Sequence, residues 1–140
     1  MNIKQNKSGF TLLEIIIVII IVGVLASLAL PRFFSTVEYS RSTEALASMG
    51  AVRQSLERCY LQRSGDYTNC TAFANLDIED PGTSPGAHFT YAIPSASATA
   101  YVIRATRNLV DGGSATSMIA VTLAGTAVTR SGVGAFAGIK

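Results

Sequence analysis

The feature that most constrains this chain is an apolar segment close to its N-terminus. From Phe10 to Leu30 the residues are mostly Ile, Leu, Val and Ala, and the one charged residue among them is Glu14. About 20 consecutive apolar residues suffice to cross a lipid bilayer as a helix. A carboxylate within such a segment costs about 2.5 to 3.5 kcal/mol on insertion scales, so it usually has a partner or a function. The segment therefore predicts a membrane-spanning helix in which Glu14 has a special role.

The residues around this segment differ from those of an ordinary secretory signal peptide. Such a signal has small residues and a cleavage site after its apolar core, and the core is then removed. Here the small residues Ser8 and Gly9 precede the core, which continues through Pro31 into a helical pattern. The run Lys-Ser-Gly-Phe-Thr-Leu-Leu-Glu, residues 7–14, strongly resembles the processing site of type IV prepilins and their pseudopilin relatives.

This resemblance implies how the precursor is processed and assembled. It implies that a prepilin peptidase in the membrane cuts after Gly9 and methylates Phe10, and that the mature protein keeps its apolar helix. The new amine on Phe10 would lie one helical turn from Glu14, and the resemblance pairs Glu14 with the amine of a neighbouring subunit. The alternatives are pairing within one chain or an unpaired glutamate at the edge of an anchor helix. The implied partners are further copies of the chain, minor pilins and an inner-membrane assembly platform.

The charge balance gives no sign of bulk electrostatic capture of nucleic acid. The formal net charge of +2 comes from Lys4 and Lys7; without these two, nine of the 11 Lys and Arg residues balance nine Asp and Glu. Basic residues flanking a membrane span favour its cytoplasmic side. We therefore expect a single-pass inner-membrane protein with a periplasmic or extracytoplasmic C-terminal domain, which later enters an extracellular pilus or a periplasmic pseudopilus.

After the apolar segment, apolar residues recur at helical intervals. The pattern predicts one helix from about residue 11 to about residue 62, apolar all round in its first half and amphipathic in its second. At 1.5 Å per residue it would be about 75 Å long, too long for the rest of the chain to cover. Gly23 and Pro31 interrupt it, so a kink at residues 26–31 is expected. The resemblance implies that this segment can lose helical structure in a filament; a static kink is the alternative.

The remaining sequence predicts a small antiparallel sheet. Residues 69–87 form a connecting loop with two turn signals, each a Pro-Gly pair. Four candidate strands follow at residues 88–93, 100–106, 117–123 and 126–130, with Pro94 and Ser95 ending the first. Such short connections favour antiparallel pairing. The expected fold is α+β, a long N-terminal helix packed on a small antiparallel sheet.

The predicted organisation has five parts. They are a cleaved leader at residues 1–9, an apolar transmembrane and assembly helix at 10–31, the amphipathic half of the helix at 32–63, a connecting loop at 64–87, and the sheet with its C-terminal tail at 88–140. Roughly a hundred residues follow the membrane segment, which is enough for one small core.

Cys59 and Cys70 are the only cysteines in the chain. Gly65 lies between them and allows the chain to reverse. In an oxidising compartment they are expected to form a disulfide that ties the helix end to the following loop, which would contribute roughly 3 kcal/mol to stability. A metal site would need two more ligands, and His88 is the sole histidine; a thiol redox pair would ordinarily have closer spacing.

No group of residues in the sequence predicts catalysis, a metal site or a cofactor. Asp77, Glu79 and Asp80 lack the spacing of a calcium loop and are expected to form a solvated turn. His88 has no adjacent Ser, Cys or acid and is expected at a sheet edge or in a loop. Phosphate-binding loops, zinc patterns and nucleophile elbows are absent from the sequence.

Aromatic and basic residues are better explained by structure than by function. Four aromatic side chains on the helix are expected to pack as part of a buried rod rather than to form an electron path between subunits. They are Phe33, Phe34, Tyr39 and Tyr60. Three arginines near the sheet are a weak signal for DNA uptake and are expected to form a solvated strand face. They are Arg104, Arg107 and Arg130.

The sequence therefore favours a structural subunit that polymerises through its N-terminal helix into a type IV pilus, for adhesion, motility, DNA uptake or surface attachment. The alternative within the families that the sequence resembles is the major pseudopilin of a type II secretion system. A hypothesis of another class is a membrane-anchored binding domain that never polymerises. Such a domain would have no need of Glu14 or of processing after Gly9.

Overall fold

A computed structural model of the chain describes residues 9–140, and its compact units divide between Ser35 and Thr36. The predicted leader residues 1–8, including Lys4, Lys7 and Ser8, lie outside the described residues. The main elements, in chain order, are helix α1 (Leu12–Gln62) and strands β1 (Phe89–Ser97), β2 (Ala100–Arg107), β3 (Met118–Ala124) and β4 (Ala127–Val133). The α+β fold class predicted from the sequence is confirmed.

In the first unit, α1 continues without interruption through Gly23 and Pro31. Among the described residues it is the helix that is long and apolar enough to cross a membrane, judged by length and composition. Its hydrophobic stretch has no buried residue. Loss of helical structure between Gly23 and Pro31 in a filament stays a prediction.

The second unit contains an antiparallel sheet in which each strand pairs with the next, in the order β1-β2-β3-β4. The predicted end of the first strand at Pro94 and Ser95 is wrong, because β1 continues to Ser97 with a shift of register between Ala92 and Ser95. Proline has no N–H to donate to a ladder, but an edge strand with an irregular register tolerates it.

The core lies between α1 and one face of the sheet. Along β2, Tyr101, Ile103 and Ala105 are buried while Arg104 is exposed, which is the alternation expected of a strand with one covered face. The helix contributes buried residues at intervals of three and four, which is the spacing of one helical face. These residues are Ala45, Met49, Val52 and Leu56.

The C-terminal tail is part of this core. After β4 the chain turns at Gly134–Phe136 and buries the side chains of Phe136 and Ile139. A Cβ atom on Gly132 would lie 1.8 Å from the carbonyl oxygen of Phe136, so this close approach of two backbone segments requires glycine. The small residues of the tail thus have a packing role that their sequence pattern did not indicate.

Candidate assembly site

The N-terminal end of α1 carries the residues predicted to direct processing and assembly. Gly9 and Phe10 precede the helix and are exposed. Thr11 caps the helix: its side-chain oxygen accepts a hydrogen bond from the backbone N–H of Glu14 at 3.3 Å, and its carbonyl accepts from the same N–H at 3.1 Å. The positive end of a helix dipole favours a carboxylate in the first turn.

The sequence interpretation missed the role of Thr11. A Ser or Thr followed three residues later by Glu is the pattern of a capping box, in which the first side chain satisfies an N–H that the helix leaves without a partner. The pattern Thr-Leu-Leu-Glu at residues 11–14 was therefore sufficient to identify Thr11 as the residue that begins the helix.

The carboxylate of Glu14 has no ion-pair partner within residues 9–140 of the single chain. Every residue from 10 to 35, the range that contains Glu14, is exposed, including the large side chains of Ile19, Leu25 and Leu28. A continuous apolar surface of this size requires lipid or another apolar surface to cover it. Pairing of Glu14 with an amine on Phe10 stays a prediction.

The structure joins Cys59 and Cys70 in a disulfide, with the two Cα atoms 6.2 Å apart. The chain reverses between them at Ser64 and Gly65, which both have positive φ, and the N–H of Gly65 donates to the carbonyl of Tyr60 at 2.9 Å. This is the hydrogen bond of a helix that ends in a left-handed turn. The disulfide therefore fixes the segment that follows α1 against the end of the helix.

Three tyrosines from different elements meet next to this segment: Tyr60 on α1, Tyr67 in the segment itself and Tyr101 on β2. Tyr67 stacks on Tyr60 with ring centroids 4.4 Å apart and meets the edge of Tyr101 at 4.9 Å. The hydroxyls of Tyr67 and Tyr101 both donate to Glu57, at 2.7 and 3.2 Å. Burial, with the negative charge of Glu57, raises the pKa of Tyr101 to about 12 and also raises the pKa of Tyr67.

The other helical aromatics differ from Tyr60 in their surroundings. Phe33 and Phe34 contact each other edge to face at 6.1 Å and are exposed, as is Tyr39. The expected packing of these three side chains in a buried helical rod thus stays a prediction, whereas Tyr60 packs within its own chain.

A buried ion pair fixes the end of β2 to α1. Arg107 is fully buried and donates from Nε and Nη2 to the two carboxylate oxygens of Glu38, at 3.1 and 3.2 Å. Its Nη1 donates to the carbonyls of His88 and Asn108, both at 3.1 Å. A buried guanidinium is tolerated only when its donors are satisfied in this way.

The expectation that three arginines form a solvated strand face is wrong, because Arg107 is fully buried. Arg104 is exposed on the face of the sheet that points away from α1, because it alternates with the buried residues of β2. Arg130 pairs with the buried Val121 across β3 and β4, and therefore projects on the side of α1. The three arginines lie in different environments and form no single basic surface.

His88 has acidic neighbours that are distant in sequence. Its Nδ1 lies 3.2 Å from a carboxylate oxygen of Glu44 on α1, and its Nε2 lies 3.2 Å from one of Asp111 in the loop between β2 and β3. Arg41 also contacts Asp111 at 3.5 Å. His88 directly precedes the outer strand β1, so the expected position at a sheet edge or in a loop is confirmed. The sequence did not indicate that this histidine joins α1 to the loop between β2 and β3 through Glu44 and Asp111.

The acidic residues after α1 do not act together. Arg58 and Ser55 both donate to Asp77, and these hydrogen bonds, with Arg58 the larger cause, lower the pKa of Asp77 to about 2. Asp80 accepts from the N–H of Gly82 at 2.8 Å. Asp77 is exposed at a bend, as expected of a solvated turn, and its hydrogen bonds also join this turn to α1. Within residues 9–140, no group of three or more His, Cys, Asp or Glu side chains is arranged to hold a metal ion.

Comparison with known families divides the sequence into two matched regions. Residues 4–30 match a family described as the prokaryotic N-terminal methylation motif. Residues 31–118 match a family described as the type IV minor pilin ComP, DNA uptake sequence receptor. The two matches together cover the apolar segment and most of the helix and sheet unit.

Individual relatives agree with these families. The type IV major fimbrial protein FimA of Dichelobacter nodosus is 31% identical, over 66% of this chain and 67% of its own length. The type IV narrow pilus major component PilA5 of Thermus thermophilus is 33% identical, over 61% of this chain and 72% of its own. The type II secretion system core protein G of Aeromonas hydrophila is 39% identical, over 39% and 38% of the two chains. No solved structure gives a significant match.

Proposed function

Because the chain belongs to the type IV pilin family, we propose that it is a structural subunit that polymerises through its N-terminal helix into a type IV pilus. The observation that carries this proposal is the exposed apolar half of α1, which holds a single carboxylate, Glu14, close to its start. Such an apolar surface is not stable in water, so it must be covered by lipid or by other helices. A carboxylate within a bilayer costs free energy, so lipid alone does not account for Glu14.

The proposed mechanism begins with removal of residues 1–9 by a prepilin peptidase and methylation of Phe10. The cationic amine formed on Phe10 then pairs with Glu14 of a neighbouring subunit, so that each charge in the apolar layer is neutralised. Transfer of a helix from lipid to a bundle of helices changes its apolar contacts little. The ion pair and the close packing of helices therefore provide the register of the filament.

This proposal also assigns a location and partners. The leader lies in the cytoplasm, the helix spans the inner membrane, and the unit that begins at Thr36 lies outside until the subunit enters the filament. Minor pilins and an inner-membrane assembly platform take part in assembly. The protein has a structural role and no catalytic one.

The second candidate is a pseudopilin of a type II secretion system, since core protein G is among the relatives. Matches to core protein G cover 39% and 59% of the chain, whereas a pilin family matches residues 31–118 and the fimbrial protein FimA matches 66% of the chain. The wider match favours the pilus. Binding of DNA, which the description of that family includes, is not part of the proposal, because the three arginines that suggested it in the sequence form no common surface.

The test combines processing with assembly in cells that express the full-length protein. Filaments sheared from the cells should contain the chain, and mass spectrometry should find an N-terminus at Phe10 that carries one methyl group. The variant Glu14→Val should be processed and inserted in the membrane but should not enter filaments. A mature protein that retains residues 1–9, or Glu14→Val filaments in normal amount, would contradict the proposed mechanism.

Ser27→Ala is the matched control for this experiment. Ser27 is a second polar residue in the same apolar segment, but its hydroxyl donates to the carbonyl of Val24 at 2.7 Å and is satisfied within its own helix. Its removal should leave processing and filament yield unchanged, which separates a special role of Glu14 from a general effect of any polar change in the segment.

A further inference from the structure

We propose that neighbouring copies of this chain also dock through their sheet units, with an acidic loop at the β1 edge of one copy lying in a basic groove at the β4 edge of the next. This inference rests on the proposed function, because it assigns the residues that hold subunits together outside the apolar helix.

The basic groove lies between α1 and β4. It is open, has a volume of about 500 Å³, and is lined by Arg53, Val128, Thr129, Arg130 and Lys140. Within the described part of the chain, neither Arg130 nor Lys140 has an acidic partner, and Arg53 has only Glu57 at 4.0 Å. Three cations with so little internal neutralisation favour an acidic occupant.

The position of Arg130 follows from the register of the sheet. Arg130 pairs with Val121, whose side chain is buried on the side of α1, so both project from the same face. Because β4 is an outer strand, Arg130 reaches the open end of that face instead of the core and is exposed. The fold thus holds this guanidinium at the mouth of the groove.

The acidic loop lies at the opposite edge of the sheet. Glu79 is exposed and has no partner among residues 9–140. The next residue, Asp80, uses one carboxylate oxygen to accept from Gly82. A Cβ on Gly82 would lie 3.1 Å from the carbonyl oxygen of Phe89, so this turn packs closely on the backbone of β1. The turn that follows Glu79 and Asp80 is therefore held beside β1.

The geometry points to a second copy as the occupant. The acidic loop and the basic groove lie at opposite outer strands of one sheet, so one copy cannot bring them together, whereas successive copies can. Contacts between two different surfaces of identical chains generate open filaments instead of closed dimers. Complementary charges of this kind fix partner and register more than they add affinity.

Charge reversal followed by charge exchange tests the proposal in cells that express the full-length chain. Loss of an exposed ion pair changes an equilibrium by a factor of up to roughly five, and reversal adds repulsion. We expect Arg130→Glu, and separately Glu79→Lys, to lower the yield of sheared filaments roughly fivefold or more. The double variant, which restores opposite charges across the contact, should recover most of the yield.

Arg104→Glu is the matched control, because Arg104 is also an exposed strand arginine but lies on the other face of the sheet. It should leave the yield unchanged. Thermal unfolding of each purified variant in detergent checks that the fold is retained. Normal filament yield for Arg130→Glu, or no recovery in the double variant, would overturn the proposal.

Cross-linking gives a second measurement that does not depend on yield. Cells that express Glu79→Cys and Arg130→Cys as two separate chains should give disulfide-linked dimers in sheared filaments, and either chain alone should give none. Absence of dimers in wild-type-like filaments would overturn the docking proposal but not the proposed pilus function.

If Arg130→Glu instead reduces DNA retention and leaves assembly unchanged, the groove binds phosphates and the second copy is excluded as its occupant. Failure of the proposed function is distinct, because the unmodified chain would then form no filaments.

Discussion

Arg107 and Glu38 form the contact in which a single residue change has the clearest consequence. The guanidinium is fully buried, and Glu38 is the acid that neutralises it. Removing one member of a buried ion pair typically costs about 3 to 5 kcal/mol, because the other charge stays buried without compensation. Since the carbonyls of His88 and Asn108 still accept from Arg107, we expect the lower end of that range.

The expected result for Glu38→Ala is therefore a loss of roughly 3 kcal/mol in the free energy of unfolding. The measurement is chemical denaturation of the full-length protein in detergent, followed by circular dichroism. Glu79→Ala removes an exposed glutamate without a partner and should change stability by less than about 0.5 kcal/mol. Equal effects of the two changes would mean that Arg107 does not depend on Glu38.

Arg107 also illustrates what the sequence can predict at this scale. Its position in β2 has the same parity as the buried Tyr101 and Ile103, so the alternation alone indicated an inward side chain. The usual exposure of arginine indicated the opposite. The acid that decides between them is 69 residues away in sequence, and no local pattern links the two.

At the scale of elements, the packing of the tail on β4 gives a prediction that distinguishes two glycines. A methyl group on Gly132 would meet the carbonyl oxygen of Phe136 at 1.8 Å, whereas one on Gly138 would meet nothing within 4 Å. Forcing a buried segment apart typically costs about 1 to 3 kcal/mol. We expect Gly132→Ala to lower the free energy of unfolding by about 2 kcal/mol and Gly138→Ala to have little effect.

Thermal unfolding of the two glycine variants is the measurement, with near-ultraviolet circular dichroism to follow the tyrosines of the core. If Gly132→Ala unfolds at the temperature of the unmodified protein, the tail is not packed against β4 as described.

Elements differed in how well their sequence indicated them. The helix was clearly indicated, because the apolar residues of its amphipathic half recur at helical intervals up to its end near Gln62. β1 was shortened in the interpretation because Pro94 normally ends a strand, and only the tertiary position of β1 at the sheet edge makes the proline acceptable. The tail was missed because its small residues have no periodicity, and their use depends on β4 lying beside them.

At the scale of the whole molecule, the buried core belongs to one unit only. All members of the core cluster lie between Ala45 and Ile139, and the apolar segment before Ser35 contributes none. The chain truncated to residues 36–140 should therefore fold without detergent, retain the disulfide between Cys59 and Cys70, and fail to form filaments.

The measurement for the truncated chain is a cooperative thermal transition together with the absence of free thiols in the native, unreduced protein. The full-length protein in detergent is the reference, and the two melting temperatures should agree within a few degrees. A truncated chain without a cooperative transition would show that the sheet unit depends on the apolar segment.

The order of the strands has a consequence for how the second unit folds. Every strand of the sheet pairs with its immediate neighbour in sequence, and the disulfide joins residues with a sequence separation of 11. Sheets built from such local pairings close short loops and have a low contact order, so they fold faster than sheets of the same size with distant pairings. The sheet of the second unit can therefore form hairpin by hairpin. We expect the contact between Arg107 and Glu38, which spans 69 residues, to form late and to fix the sheet to the helix.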